Sequence, residues 1–226
     1  VPKFLVFLTG PIEHENLGPV LQSFDPELTL LPVSSREDLL ALPMEQLAGA
    51  RLVAFATPVV VPGRVLRALG FGGYNFHPGP PAYPGWHPPS FAIHDQAEVF
   101  GATFHRMAEK VDSGPIVAFE LFEIPPGATA GELSFESYRR LVALFQRWAG
   151  VLATWDQPLP ELPVPWGSRC STRRDFARLC EIPADIGPEE LALRLRAFGA
   201  GDGESVPTVT LHGHRFCFCG DREESV

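Results

Sequence analysis

Lysine is nearly missing from this 226-residue chain: Lys3 and Lys110 stand against sixteen arginines, and 27 acidic residues leave a formal net charge of −9. Proteins that bind nucleic acid broadly need cations to displace the counterions around phosphate, so that class is disfavoured here. The tightest basic group, Arg169, Arg173, Arg174 and Arg178, reads as a solvated surface, with an anionic ligand as its functional alternative. Cysteine is scarce too. Cys170, Cys180, Cys217 and Cys219 include no CxxC pair, and the spacing of Cys217 and Cys219 to His212 and His214 differs from that of known zinc sites. No metal is expected, and the thiols read as reduced and buried.

No stretch approaches the ~20 uninterrupted apolar residues that a membrane helix needs. The run from Val1 to Leu8 is shorter than a secretory leader and no small-residue cleavage site follows, so it reads as a buried first strand and the expected location is the cytoplasm. That strand is followed by Thr9-Gly10-Pro11 and not by a G-x-G-x-x-G turn, which removes the support for a nicotinamide dinucleotide.

What the chain does have is apolar runs separated by proline and glycine. Strand-like segments at 3–8, 28–33, 51–56 and 73–76 alternate with helical candidates at 17–22, after Ser34 or Ser35, and at 62–69. Repeated β-α-β units of this length favour a mostly parallel sheet with helices on both faces, an α/β fold. The proline-rich stretch 77–90 is expected to end regular structure, and strands are predicted at 102–107 and 116–124. A helix follows from about 131 to 153, with Leu141, Leu144, Phe145, Trp148 and Leu152 on one stripe. Residues 1–155 thus read as one domain, 156–167 as a proline-rich linker, and 168–220 as a small C-terminal subdomain with a helix at 188–198 and a hairpin turning at His212-Gly213. The last six residues read as disordered.

Three polar residues stand where chemistry is expected. Asn75 and His77, two positions apart at a strand end, share a face or a rim, and Asp112 sits in the loop Lys110-Val111-Asp112-Ser113-Gly114-Pro115 between two predicted strands. Open parallel sheets bind ligands at the carboxyl ends of their strands. An amide, an imidazole and a carboxylate gathered there suit acyl transfer.

Two blocks resemble a known family. Val61-Pro62-Gly63 through Asn75-Phe76-His77-Pro78 to Tyr83-Pro84-Gly85, and Gly101-Ala102-Thr103-Phe104-His105 through Asp112-Ser113-Gly114-Pro115-Ile116, are similar in order and content to the signatures of N10-formyltetrahydrofolate-dependent formyltransferases. That family includes methionyl-tRNA, glycinamide ribonucleotide and sugar N-formyltransferases. The resemblance covers roughly residues 1–155 and implies a Rossmann-like formyltransferase fold. It also implies catalysis by Asn75, His77 and Asp112, with Asp112 raising the pKa of the imidazole. Thr57, Pro58, Val59, Val60, Lys110 and Val111 would hold the co-substrate N10-formyltetrahydrofolate through main chain. The expected reaction is formyl transfer to an amine; hydrolysis of formyl-folate, or a non-catalytic folate- or nucleotide-sugar-binding module, are the other readings. The family usually continues His-Pro with Ser-Leu-Leu-Pro and Arg-Gly, whereas Gly79-Pro80-Pro81 and Tyr83-Pro84-Gly85 stand here, a difference that bears on acceptor choice and pterin fit. The acidic balance and the missing loop arginine make a small amine the expected acceptor and tRNA an unexpected one.

Overall fold

In the computed structural model, residues 1–199 and 205–219 are described; the last six residues, expected to be disordered, lie outside that set. The first half runs β1 (Phe4–Leu8), α1 (Pro11–Phe24), β2 (Thr29–Val33), α2 (Arg36–Ala41), α3 (Met44–Ala48), β3 (Ala50–Phe55), α4 (Gly63–Ala68) and β4 (Gly73–His77). It continues through α5 (Pro88–His94), β5 (Val99–Arg106), β6 (Ile116–Glu123) and α6 (Ala130–Thr154). The tail holds α7 (Arg173–Cys180), β7 (Glu181–Ile182), α8 (Pro188–Phe198), β8 (Thr208–Leu211) and β9 (His214–Cys217).

One sheet has the order β2-β1-β3-β4-β5-β6. Its first four strands are parallel, and β5 and β6 run antiparallel to their neighbours. The chain places β2 on one side of β1 and then β3 on the other. This reversal opens a crevice at the carboxyl ends of β1 and β3.

Every residue of β3 is buried, as expected of a parallel strand covered on both faces. Further along the sheet the pattern changes to alternation, in Tyr74-Asn75-Phe76-His77 and in Ala102-Thr103-Phe104-His105. Tyr74, Phe76, Ala102 and Phe104 point to the face packed by α1 and α6, where they join Phe7, Phe55, Leu141 and Phe145. The opposite face is sealed over β1 and β3 by Leu39, Leu47 and Val65 of α2 to α4. Over β4 and β5 that same face presents Asn75, His77, Thr103 and His105, and loops roof them. The site therefore occupies the part of the sheet where apolar side chains give way to polar ones.

Several elements differ from expectation. The stretch 77–90 does not end all regular structure, because Pro88 and Pro89 open α5 at its first two positions. A proline there has no intrahelical N–H to lose. Helix α1 extends well beyond 17–22, with Gly18 and Pro19 inside it; those two breakers are what shortened the reading. Helices α3 and α7 were not expected. Cys217 and Cys219 are exposed, against the expectation of burial. All four residues of β9 are exposed, because this edge strand has no packed face.

The stretch 156–167 is laid against the sheet. Leu159 is buried, and the Leu162 and Gly167 amides donate to Ile116 and Pro81 carbonyls at 2.7 and 2.8 Å. Phe176, Cys180, Ala197 and Phe198 from the tail share a core with Phe91 and Phe100. Helix α7 starts with a capping box in which Thr172 and Asp175 exchange side-chain bonds to backbone. Thr172→Ala is expected to cost about 1 kcal/mol, read as a lower denaturant midpoint at unchanged slope. Among the described residues no helix is long and apolar enough to cross a membrane.

Candidate active site

The antiparallel register sets Asn75 opposite His105 and His77 opposite Thr103, so four polar side chains form a square on one face. The Thr103 hydroxyl donates to the Gly79 carbonyl at 2.7 Å and holds the proline-rich loop over it. A Cβ at Gly79 would come within 2.7 Å of both His77 Nε2 and Pro88, which explains glycine there.

Asp112 enters from the loop after β5 with φ +43, a left-handed conformation that costs a non-glycine residue about 1–2 kcal/mol. Its carboxylate is tied on several sides. Oδ2 accepts from the Gly85 amide at 2.8 Å and stands 3.3 Å from His77 Nδ1, while Oδ1 lies 3.4 Å from His105 Nε2. His77 Nε2 faces the Tyr83 carbonyl at 3.0 Å. Trp166 covers both imidazoles edge-on, with ring centroids 5.7 Å from His77 and 4.9 Å from His105. The Trp166 indole N–H is anchored on the Gly114 carbonyl at 2.7 Å.

Burial works against an ionised Asp112, but His77, His105 and the Gly85 amide outweigh it and hold the carboxyl at about 2. His77 goes the other way. Burial pushes it below the ordinary imidazole value, Asp112 pulls it up only in part, and His105 adds a further downward push. Asp112 does raise the imidazole, but desolvation is the larger effect and the net direction is down. A neutral His77 has one ring hydrogen for two acceptors, Asp112 and Tyr83. Gaining a proton would let it serve both.

These groups open onto a cleft of about 810 Å³. Asn75, His77 and Asp112 line it together with Thr57, Pro58, Val59, Val60, Lys110 and Val111, so all nine residues singled out in the sequence reach one cavity. Val60 and Val111 are 57% and 43% exposed, an apolar lip of the kind that takes flat ligands. Other lining residues were not anticipated: Trp86, His105, Tyr138, and Cys170 to Arg173 from the tail. Of the four clustered arginines, Arg173 alone lines the cleft, its guanidinium 4.3 Å over the Trp86 ring. Arg169 lies over Phe91 and Arg178 near Asp175. The strand alternation that pairs His105 with Asn75 was visible in the sequence, but the pairing itself needed the sheet. Among the described residues, no group of three or more His, Cys, Asp or Glu is placed to hold a metal ion.

Residues 14–140, more than half of the chain, match the family model for formyl transferases. Over 90 residues the chain is 37% identical to the methionyl-tRNA formyltransferase of Chloroflexus aggregans, a match spanning 38% of this chain and only 29% of that relative. Its fold is similar to a crystal structure of a 4-N formyltransferase from Francisella tularensis, with TM-score 0.73 and 17% identity over 95% of this chain and 96% of that one. It is also similar to an N-formyltransferase from Helicobacter canadensis in complex with folinic acid and dTDP-3-aminofucose, with TM-score 0.64 and 16% identity over 87% and 80% of the two chains.

Proposed function

Because this chain belongs to the formyl transferase family, we propose that it moves a formyl group from N10-formyltetrahydrofolate to the amino group of a small acceptor. The observation that carries this reading is the convergence of Asn75, His77 and Asp112 on one largely apolar cleft. The folate and amino sugar bound by the Helicobacter relative support the same pairing of substrates. Residues 1–155 form the catalytic unit in this proposal, and the C-terminal unit from 168 onward contributes one wall through Ser171, Thr172 and Arg173.

The pterin would lie between the 57–60 segment and Lys110-Val111, with main-chain groups meeting its polar edge and Val60 and Val111 its flat face. The neutral amine then attacks the formyl carbon, a C–N bond forms, and the carbonyl oxygen takes negative charge. An Asn75 side-chain N–H facing the cleft stabilises that oxygen; removing one such donor typically costs ~3–4 kcal/mol. His77 takes the proton released by the amine. In this step Nδ1–H stays on Asp112, and Nε2 exchanges the Tyr83 carbonyl for the substrate, taking the amine proton there and holding it until collapse. Collapse breaks the bond to N10, and N10 receives the proton from His77. Asp112 stays ionised throughout and balances the charge.

The pH dependence follows from the two directions. A lowered His77 is neutral, and so able to accept a proton, down to below the ordinary histidine range. Asp112 does not protonate until far more acidic pH. With saturating acceptor, kcat is expected to hold through neutrality and to fall only below the usual histidine value. A decline beginning above that value would show Asp112 winning over burial.

The acceptor is tested by incubating formyl-folate with a panel of amino sugars and amino acids, beside methionyl-tRNA at ~0.1 M salt. A small amine is expected to be formylated. Efficient use of tRNA with a steep loss of rate at higher salt would overturn the small-acceptor reading, and formate release without any amine would point to a hydrolase.

A further inference from the structure

His105 is fully enclosed, 2% exposed, and both its ring nitrogens are engaged. The Arg106 carbonyl, 2.9 Å from Nδ1, can only accept, so Nδ1 carries the hydrogen. In a neutral ring Nε2 is then a bare acceptor, and Asn75 Nδ2 lies 3.1 Å from it. Asp112 Oδ1 is farther from the same nitrogen, at 3.4 Å; it would take an Nε2–H from a protonated ring, whereas in the neutral ring the shorter Asn75 contact is the bond that Nε2 makes. Asn75 has an amide that can be turned end for end at almost no steric cost. Something must decide which end faces the cleft.

We infer that His105 is a positioning residue that orients the Asn75 carboxamide, and that it acts on the reaction through Asn75. By accepting one Nδ2 hydrogen it fixes the nitrogen end toward β5 and leaves the second Nδ2 hydrogen and Oδ1 addressed to the cleft. The backbone supports this arrangement. The antiparallel pairing holds residues 75 and 105 directly opposite, and the chain's own Arg106 carbonyl selects the tautomer. Trp166 packs on the imidazole at 4.9 Å between centroids and prevents the ring from turning. The inference rests on the reading of Asn75 as the oxyanion donor.

Three substitutions separate this role from a structural one. His105→Phe fills the space with no acceptor. His105→Asn keeps a polar atom near the Nδ1 position but does not reach Asn75. His105→Gln brings a carbonyl oxygen to the Nε2 position. His105→Phe and His105→Asn are expected to lower kcat about 30-fold with the KM for formyl-folate nearly unchanged, and His105→Gln to recover most of the loss. In an Asn75→Ala background, followed by single-turnover rates, His105→Asn is expected to cost almost nothing further. An equal cost in both backgrounds, or a Gln variant no better than the Asn variant, would overturn the inference. If His105→Phe does not fold, the Asn and Gln variants still decide it. Full activity of Asn75→Ala alone would instead remove the oxyanion role assigned to Asn75, a failure distinct from that of the His105 coupling.

Discussion

His77→Ala and Asp112→Asn are each expected to lower turnover at least ~100-fold while leaving folate affinity within a few-fold of the parent. The split follows from where the groups sit. His77 and Asp112 are 4% and 8% exposed at the base of the cleft, whereas the segments proposed to hold the pterin, 57–60 and 110–111, lie along its wall and lip. Asp112→Asn retains shape and can still accept from the Gly85 amide, so the chain path at 85 should persist. What disappears is the negative charge that balances an imidazolium formed during proton transfer. Turnover is read with a saturating amine, and affinity by titration with folinic acid, which has no formyl group on N10 to give up. A variant that folds, binds and keeps near-normal kcat would turn that residue into a structural element and leave the proton with another group.

Arg51→Ala is expected to destabilise the fold by about 3–5 kcal/mol, the largest stability loss foreseen for a residue remote from the cleft. Arg51 sits in the middle of the sheet with no solvent exposure. Its guanidinium donates to the carbonyls of Val151, Leu152 and Trp155 at 3.1, 2.6 and 2.7 Å. Those carbonyls belong to the last turn and end of α6; Val151 also accepts the Trp155 N–H, whereas Leu152 and Trp155 lie where the helix has no further N–H to offer. The arginine therefore caps a 25-residue helix from inside the core, and burial lowers its own pKa. Alanine would leave a cavity and take the arginine donor from the Leu152 and Trp155 carbonyls. Arg51→Met, which fills the space but cannot donate, separates the two contributions in denaturant melts. If Met restores full stability, the hydrogen bonds to α6 contribute little.

The parallel half of the sheet was legible because β1 and β3 are almost wholly buried and read as apolar runs, broken only by Arg51. That Asn75 and His77 would share a face was also legible, from alternation with Tyr74 and Phe76. Strand direction was not. Val99-Phe100-Gly101 begins β5 earlier than expected, and only its pairing with β4 shows it to be antiparallel and brings His105 to Asn75. Helix α5 was hidden because Pro88 and Pro89 were read as breakers when they are initiators. The wall formed by Ser171, Thr172 and Arg173 arises from folding across more than eighty residues, seen in the Ser171 hydroxyl donating to the Trp86 carbonyl at 2.6 Å. No local pattern encodes such a contact.

Trp166 covers both imidazoles of the site. It reaches the two imidazoles from an extended strap outside helix and strand, whose backbone is pinned by isolated bonds such as Gly167 to Pro81. Straps of this kind open locally far more often than the sheet beneath them unfolds. Each opening would wet His77, remove the desolvation that depresses its pKa, and let it charge before any amine arrives. The interval between openings would then bound how long the base stays ready, and the exchange of the Trp166 indole hydrogen with solvent deuterium would time that interval directly.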